Sequence, residues 1–220
     1  MRIRRTVYYL TALAVVAGLL QGREAGILPF HYRHIQLENG LRAYLIQTDS
    51  PGQIAFVTIV RSGSRDEYEP GKSGYAHFFE HMMFRGTERY PSYGDQVGRI
   101  GALSNAATTD DYTQFYLEAS SEVLERIIDL ESDRFMNLDY TERQFRTEAG
   151  AVLGEFSLTW GNPYNHLIEA IQDTAFERHP YKHLTIGFEQ DVRALPDGYA
   201  HSLNFYRRYY RPENCVLLLA

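Results

Sequence analysis

From His34 to Val60 apolar and polar side chains alternate at a period near two, the spacing of strands buried on one face. Two such runs in "HIQLENGLRAYLIQ" flank Asn39-Gly40, a pair that favours a hairpin turn, and "QIAFVTIV" supplies a third strand. The polar stretch "RSGSRDEYEPGK" then breaks the alternation. Ser73 stands where a helix N-cap would, and "GYAHFFEHMMFRGT" takes helical spacing until Gly86 stops it. Pro91-Ser92 followed by Asp95 reads as the opening of a second helix that ends near Gly101. "ALSNAATTDDYTQFYLEAS" returns to small, threonine-rich and aromatic residues around a polar turn, which predicts a second strand pair.

Beyond Ser120 the period lengthens. Val123, Leu124, Ile127, Ile128, Leu130 and Phe135 form a helical stripe with charges opposite. Thr141 with Gln144 begins a longer helix through "RQFRTEAGAVLGEFSLTW", and Gly161-Asn162-Pro163 ends it. A further helix is expected from about Asn165 to Phe176, then a loop at His179-Pro180-Tyr181, then a helix near Gly198 to Tyr210. The closing run "NCVLLLA" begins like a strand and stops, so the chain is expected to be a truncated part of a longer protein.

Composition narrows the partners. With 44% hydrophobic residues in 220, the chain can fill a sizeable core. Its 22 Lys and Arg are outnumbered by 28 Asp and Glu, a net charge of −6 that argues against a nucleic-acid footprint. Cys215 is alone, which excludes an internal disulfide and a cysteine-based zinc cage; any metal would need His and carboxylate ligands. The first residues differ from the rest: basic "MRIRR" precedes the uncharged stretch Thr6–Leu20 and "QGREAG". This reads as a cleaved export signal, with a retained membrane anchor as second reading and a buried N-terminal helix as third.

The helical run from Gly74 to Thr87 sets His77, Glu80 and His81 among Phe78, Phe79, Met82, Met83 and Phe84. On a helix His77 and His81 lie one turn apart on the same face, so both imidazoles can reach one metal ion, with Glu80 on the neighbouring flank. This H-x-x-E-H order inverts the H-E-x-x-H of the commoner zinc hydrolases. Zinc would need a third protein ligand and an open position. Glu155 is the candidate: it follows "AGAVLG" and precedes Phe156, surroundings too apolar for an idle carboxylate. Glu148, two helical turns earlier, projects from the same face. The bland alternative is a helix whose histidines hydrogen-bond in a core while the glutamates face solvent.

These motifs resemble the pitrilysin-type peptidases, the inverted zincins that include insulin-degrading enzyme and the mitochondrial processing peptidase. "GYAHFFEHMMFRGT" is similar to their metal helix and "EAGAVLGE" to the helix with the third ligand; "NAATTDDYTQFY" and "HPY…FYRRYYRPENCVLLL" agree in order. The resemblance implies that His77, His81 and Glu155 bind one zinc ion and that Glu80 is the catalytic base. It also implies that Glu148 supports a ligand and that Asn105 holds peptide substrate near the metal. Phe115 stands where relatives often carry the first Tyr of a Tyr-Tyr pair, a departure that touches only a peripheral hydroxyl contact.

The expected fold is α+β, a largely antiparallel sheet with helices covering one face. Residues 1–25 are expected to be the signal or anchor and residues 26–220 an N-terminal zinc peptidase domain, exported to a bacterial periplasm. The family builds its chamber from related halves, so a homologous C-terminal half or partner subunit is expected, and the segment alone is expected to be weakly active or inactive. The rival reading is a non-catalytic homologous subunit that binds or scaffolds beside an active peptidase. His31, His34, His166, His179, His183 and His201 lack ligand spacing, and Trp160 with Phe205, Tyr206, Tyr209 and Tyr210 reads as core packing.

Overall fold

The Asn39-Gly40 pair does turn the chain. Strands β1 (Tyr32–Gln36) and β2 (Arg42–Ile46) pair antiparallel with His34 opposite Tyr44, and the Asn39 side-chain oxygen accepts the Leu41 N–H. The computed structural model describes residues 31–220, so the segment read as an export signal or anchor lies outside the described residues. Among these, no helix is long and apolar enough to cross a membrane.

Four more strands complete the sheet: β3 (Gln53–Val60), β4 (Leu103–Thr108), β5 (Thr113–Ser120) and β6 (Cys215–Leu219). The spatial order of the described strands is β1-β2-β6-β3-β5-β4, and among them only β2 and β6 are parallel neighbours. The apolar run that stops at the end of the chain thus occupies the middle of the sheet, and β1 and β4 are its edges.

One face of the sheet is covered. Along β3, Ile54, Phe56, Thr58 and Val60 are buried while Ala55, Val57 and Ile59 between them are partly exposed, and β5 matches with Thr113, Phe115 and Leu117. Helices α1 (Tyr75–Met82), α4 (Glu142–Trp160) and α7 (Tyr199–Tyr209) pack over Val60, Phe115 and Cys215. Helices α2 (Tyr93–Arg99) and α3 (Leu124–Asn137) cover Ile54, Phe56 and Leu117. Helices α5 (Pro163–Ala175) and α6 (Glu189–Ala194) complete the described α-helices. The α+β, largely antiparallel architecture expected from the sequence is the one observed.

Local signals set most boundaries. Ser92 accepts the Asp95 N–H, and Thr141 and Gln144 form the reciprocal box that opens α4. Gly161-Asn162-Pro163 ends α4 but also starts α5, two residues earlier than expected, because Asn162 accepts the Tyr164 N–H and Pro163 is preset for the first turn. The short helix α6 lies between the expected loop at His179-Pro180-Tyr181 and the helix expected near Gly198, a stretch to which the sequence pattern assigned no element.

Ser73 does not cap α1. Its hydroxyl donates to Asp191 at 2.7 Å and accepts the Phe188 N–H at 2.8 Å. The cap position belongs to Gly74, whose φ of +91° a larger residue would resist and whose added Cβ would meet the Ile186 carbonyl at 2.8 Å. The orphan N–H groups are taken by Glu67, which accepts from Gly74 at 2.7 Å and from Ala76 at 2.6 Å.

Candidate metal centre

Packing rotates α1 so that its polar residues share one side. Phe78, Phe79 and Met82 are fully buried; Phe79 stacks on Phe205 at 5.4 Å, and Phe78 meets Phe145 edge-on at 4.9 Å. With that face committed to the core, His77, Glu80 and His81 turn to the remaining side, and the two imidazoles lie 4.8 Å apart. The histidines among the aromatics are therefore on the rim of the core, not within it.

Helix α4 brings the carboxylates. Its stripe of Phe145, Ala149, Val152 and Phe156 is buried, and Glu148 and Glu155, each one position before a buried residue, flank α1. Glu155 Oε1 lies 3.6 Å from His77 Nε2, and Glu155 Oε2 lies 3.1 Å from His81 Nε2. One ligand atom from each of His77, His81 and Glu155 falls within 4.8 Å of the others. Glu148 Oε1 contacts the opposite nitrogen, His81 Nδ1, at 3.0 Å, and Arg85 donates to Glu148 Oε2 at 3.0 Å.

The charges of this cluster suit a cation. Burial holds His77 down at about 4, in the neutral form that ligates a metal. The hydrogen bond to Glu148 raises His81 and in turn lowers Glu148. In the tautomer whose Nδ1–H donates to Glu148, His81 Nε2 turns a lone pair toward Glu155, the form that would ligate a cation held between them. The donor set of two imidazoles and one carboxylate fits a metal of the zinc type.

Glu80 sits beside these groups, and burial raises its pKa while a hydrogen bond from Thr108 opposes the shift. Thr108 Oγ1 donates to Glu80 Oε2 at 2.5 Å. A cavity of about 320 Å³ lined by Glu80, His81, Phe84, Arg85 and Glu148 opens next to them. Asn105 is on edge strand β4, exposed, with its side-chain oxygen accepting the Ala106 N–H; it is three residues from Thr108 and on the other side of the strand's alternation. Sequence reading missed Thr108 and Arg85. Their only signal was proximity to the motifs, in "NAATTDD" and "HMMFRGT".

Residues 44–187 match the model of the insulinase family, peptidase family M16, and the chain belongs to that family of peptidases. It is 29% identical over 223 residues to the zinc protease PqqE of Helicobacter pylori, covering 99% of this chain and 49% of that protein. A solved protease from Helicobacter pylori superposes with a TM-score of 0.81 at 28% identity, over 86% of this chain and 46% of that one. Subunit 1 of the mitochondrial cytochrome b-c1 complex of Rattus norvegicus is 29% identical over 84% of this chain and 38% of its own length. The chain spans about half the length, or less, of these relatives.

Proposed function

We propose that this chain is the metal-bearing part of a zinc-dependent endopeptidase that hydrolyses peptides or small unfolded proteins. The observation that carries the reading is the convergence of His77 Nε2, His81 Nε2 and the Glu155 carboxylate beside a half-buried Glu80. His77, His81 and Glu155 would hold one zinc ion, and Glu148 would orient His81 through Nδ1. Zinc, when bound, supplies Lewis-acid polarisation of the scissile carbonyl and acidifies its bound water toward a pKa of about 7. Glu80 accepts the proton of the attacking water and returns it to the leaving amine.

The peptide is proposed to join β4 as an added strand, held near Asn105, a mode that binds backbone with little sequence preference. Support comes from the position of β4 at the open edge of the sheet, against α1. A homologous second half, in the same polypeptide or on a partner subunit, is proposed to complete the site. Export through residues 1–25 to a periplasm is part of the same proposal.

The test is made with the second half supplied. Glu80→Gln is expected to keep stoichiometric zinc and abolish hydrolysis, whereas His77→Ala loses both. A Glu80→Gln protein that cleaves peptides normally defeats the assignment. The second reading, a non-catalytic binding subunit, is favoured by the likeness to a respiratory-complex subunit. Retention of His77, Glu80, His81 and Glu155 together speaks against it, and chelator-sensitive hydrolysis restored by zinc would exclude it.

A further inference from the structure

A glutamate on a helix surface has a freely turning carboxylate, since its terminal torsion is broad and two-fold. Glu80 is not left in that state. Thr108 Oγ1 takes Oε2 at 2.5 Å, the length of a charge-assisted hydroxyl-to-carboxylate bond, and the Thr108 backbone also bonds to the Glu80 side chain. Thr108 is itself held. It ends β4 opposite Thr113, whose buried hydroxyl donates to the Ser62 carbonyl at 2.9 Å. The next residue, Thr109, closes the β4–β5 turn: its N–H donates to the Tyr112 carbonyl at 2.8 Å, and its hydroxyl accepts the Tyr112 N–H at 3.1 Å. Its carbonyl accepts the Ser64 N–H at 3.2 Å. The β-branched side chain adds stiffness at χ1.

We propose that Thr108 is the positioning residue of the catalytic base: by occupying Oε2 it leaves Oε1 to receive the proton, and it ties the orientation of Glu80 to the placement of edge strand β4. The inference rests on the peptidase reading above. It assigns β4 two tasks at once, since the strand that would pair with the substrate backbone also aims the base. A peptide that seats poorly on β4 would then be met by a poorly aimed carboxylate, which makes backbone pairing a condition for turnover as well as for binding.

The experiment compares Thr108→Val, which keeps shape and branching without the donor, with Thr108→Ser, which keeps the donor. Both are made in the chain assembled with its second half. Zinc content is expected to stay stoichiometric in each. In Thr108→Val, kcat is expected to fall roughly 10- to 100-fold, part of what a general base supplies, with KM within about two-fold of wild type; Thr108→Ser restores most of the loss. Crystal structures of the same variants give a readout independent of turnover: the Glu80 carboxylate leaves its orientation in Val and keeps it in Ser. If Thr108→Val disturbs β4, seen as lost zinc, Thr108→Ala carries the same expectation. A valine variant with wild-type kcat, an unmoved Glu80, or a serine variant as impaired as valine overturns the proposal. A wild-type assembly without chelator-sensitive hydrolysis overturns the peptidase reading instead, and leaves the crystallographic comparison to judge the Thr108–Glu80 contact separately.

Discussion

Glu148 Oε1 lies 3.0 Å from His81 Nδ1 while its other oxygen takes a bond from Arg85, so one carboxylate from α4 links the last turn of α1 to the turn that follows it. The contact fixes which imidazole nitrogen is free to face Glu155 and His77. Glu148→Gln keeps the volume and loses the charge that draws the Nδ1 proton. Zinc affinity is expected to fall roughly 10- to 100-fold, measured by competition with a chromogenic chelator. Wild-type affinity in the variant would show that the contact does not tune the ligand.

Glu67 predicts a pH dependence of stability. Its carboxyl is fully buried at the N-terminus of α1, and burial pushes it up to about 8 against the bonds from Ala76 and Gly74. His183 lies close by, with its Nε2 at 3.9 Å. A folded-state pKa raised above that of the unfolded chain gives stability that is fully present below about 4.5 and lost as pH rises through about 8. Glu67→Gln removes the titration. Urea unfolding should therefore show wild-type stability falling between about pH 4.5 and 8 relative to Glu67→Gln, which lacks that fall; parallel curves from pH 4 to 9 would contradict this.

Arg134 is buried with its partner Glu131 at 2.6 Å, over the Tyr93 ring at 4.1 Å, and it donates to the Met83 carbonyl just past α1. Arg134→Met leaves Glu131 charged in the core without its counter-ion, held only by the Tyr93 hydroxyl at 2.9 Å. A loss of about 3–5 kcal/mol is expected from denaturant titration, and the double variant with Glu131→Leu should recover much of it. A single variant within about 1 kcal/mol of wild type would mean that Glu131 finds another partner or takes up a proton.

Gly86 ends the turn after α1 at a φ of +106°, and a Cβ there would run into the Tyr90 carbonyl. Both obstacles are backbone. Gly86→Ala is expected to cost at least about 1–3 kcal/mol, read as a lowered melting temperature. An unchanged melting temperature would mean that the Thr87–Pro91 loop moves freely, against its Thr87 to Tyr90 bond of 2.9 Å.

Much of the candidate site was legible because its signals are local. Helical spacing alone sets His77 over His81, an apolar context marks Glu155, and the Thr141–Gln144 box places the start of the helix that carries it. Asn39-Gly40 and the alternation around it are likewise properties of neighbouring residues. Tertiary structure decided what depends on distant partners. Ser73 looked like a cap until Asp191, 118 residues on, claimed its hydroxyl and left the N–H groups to Glu67. The terminal strand β6 sits between β2 and β3, a pairing across more than 150 residues that strand periodicity cannot specify. Thr108 reaches Glu80, and Arg85 reaches Glu148, only because α1 is packed between the sheet and α4. Period and capping act through backbone geometry within a turn or two, whereas the partner of a buried polar group is chosen by which elements the core brings together.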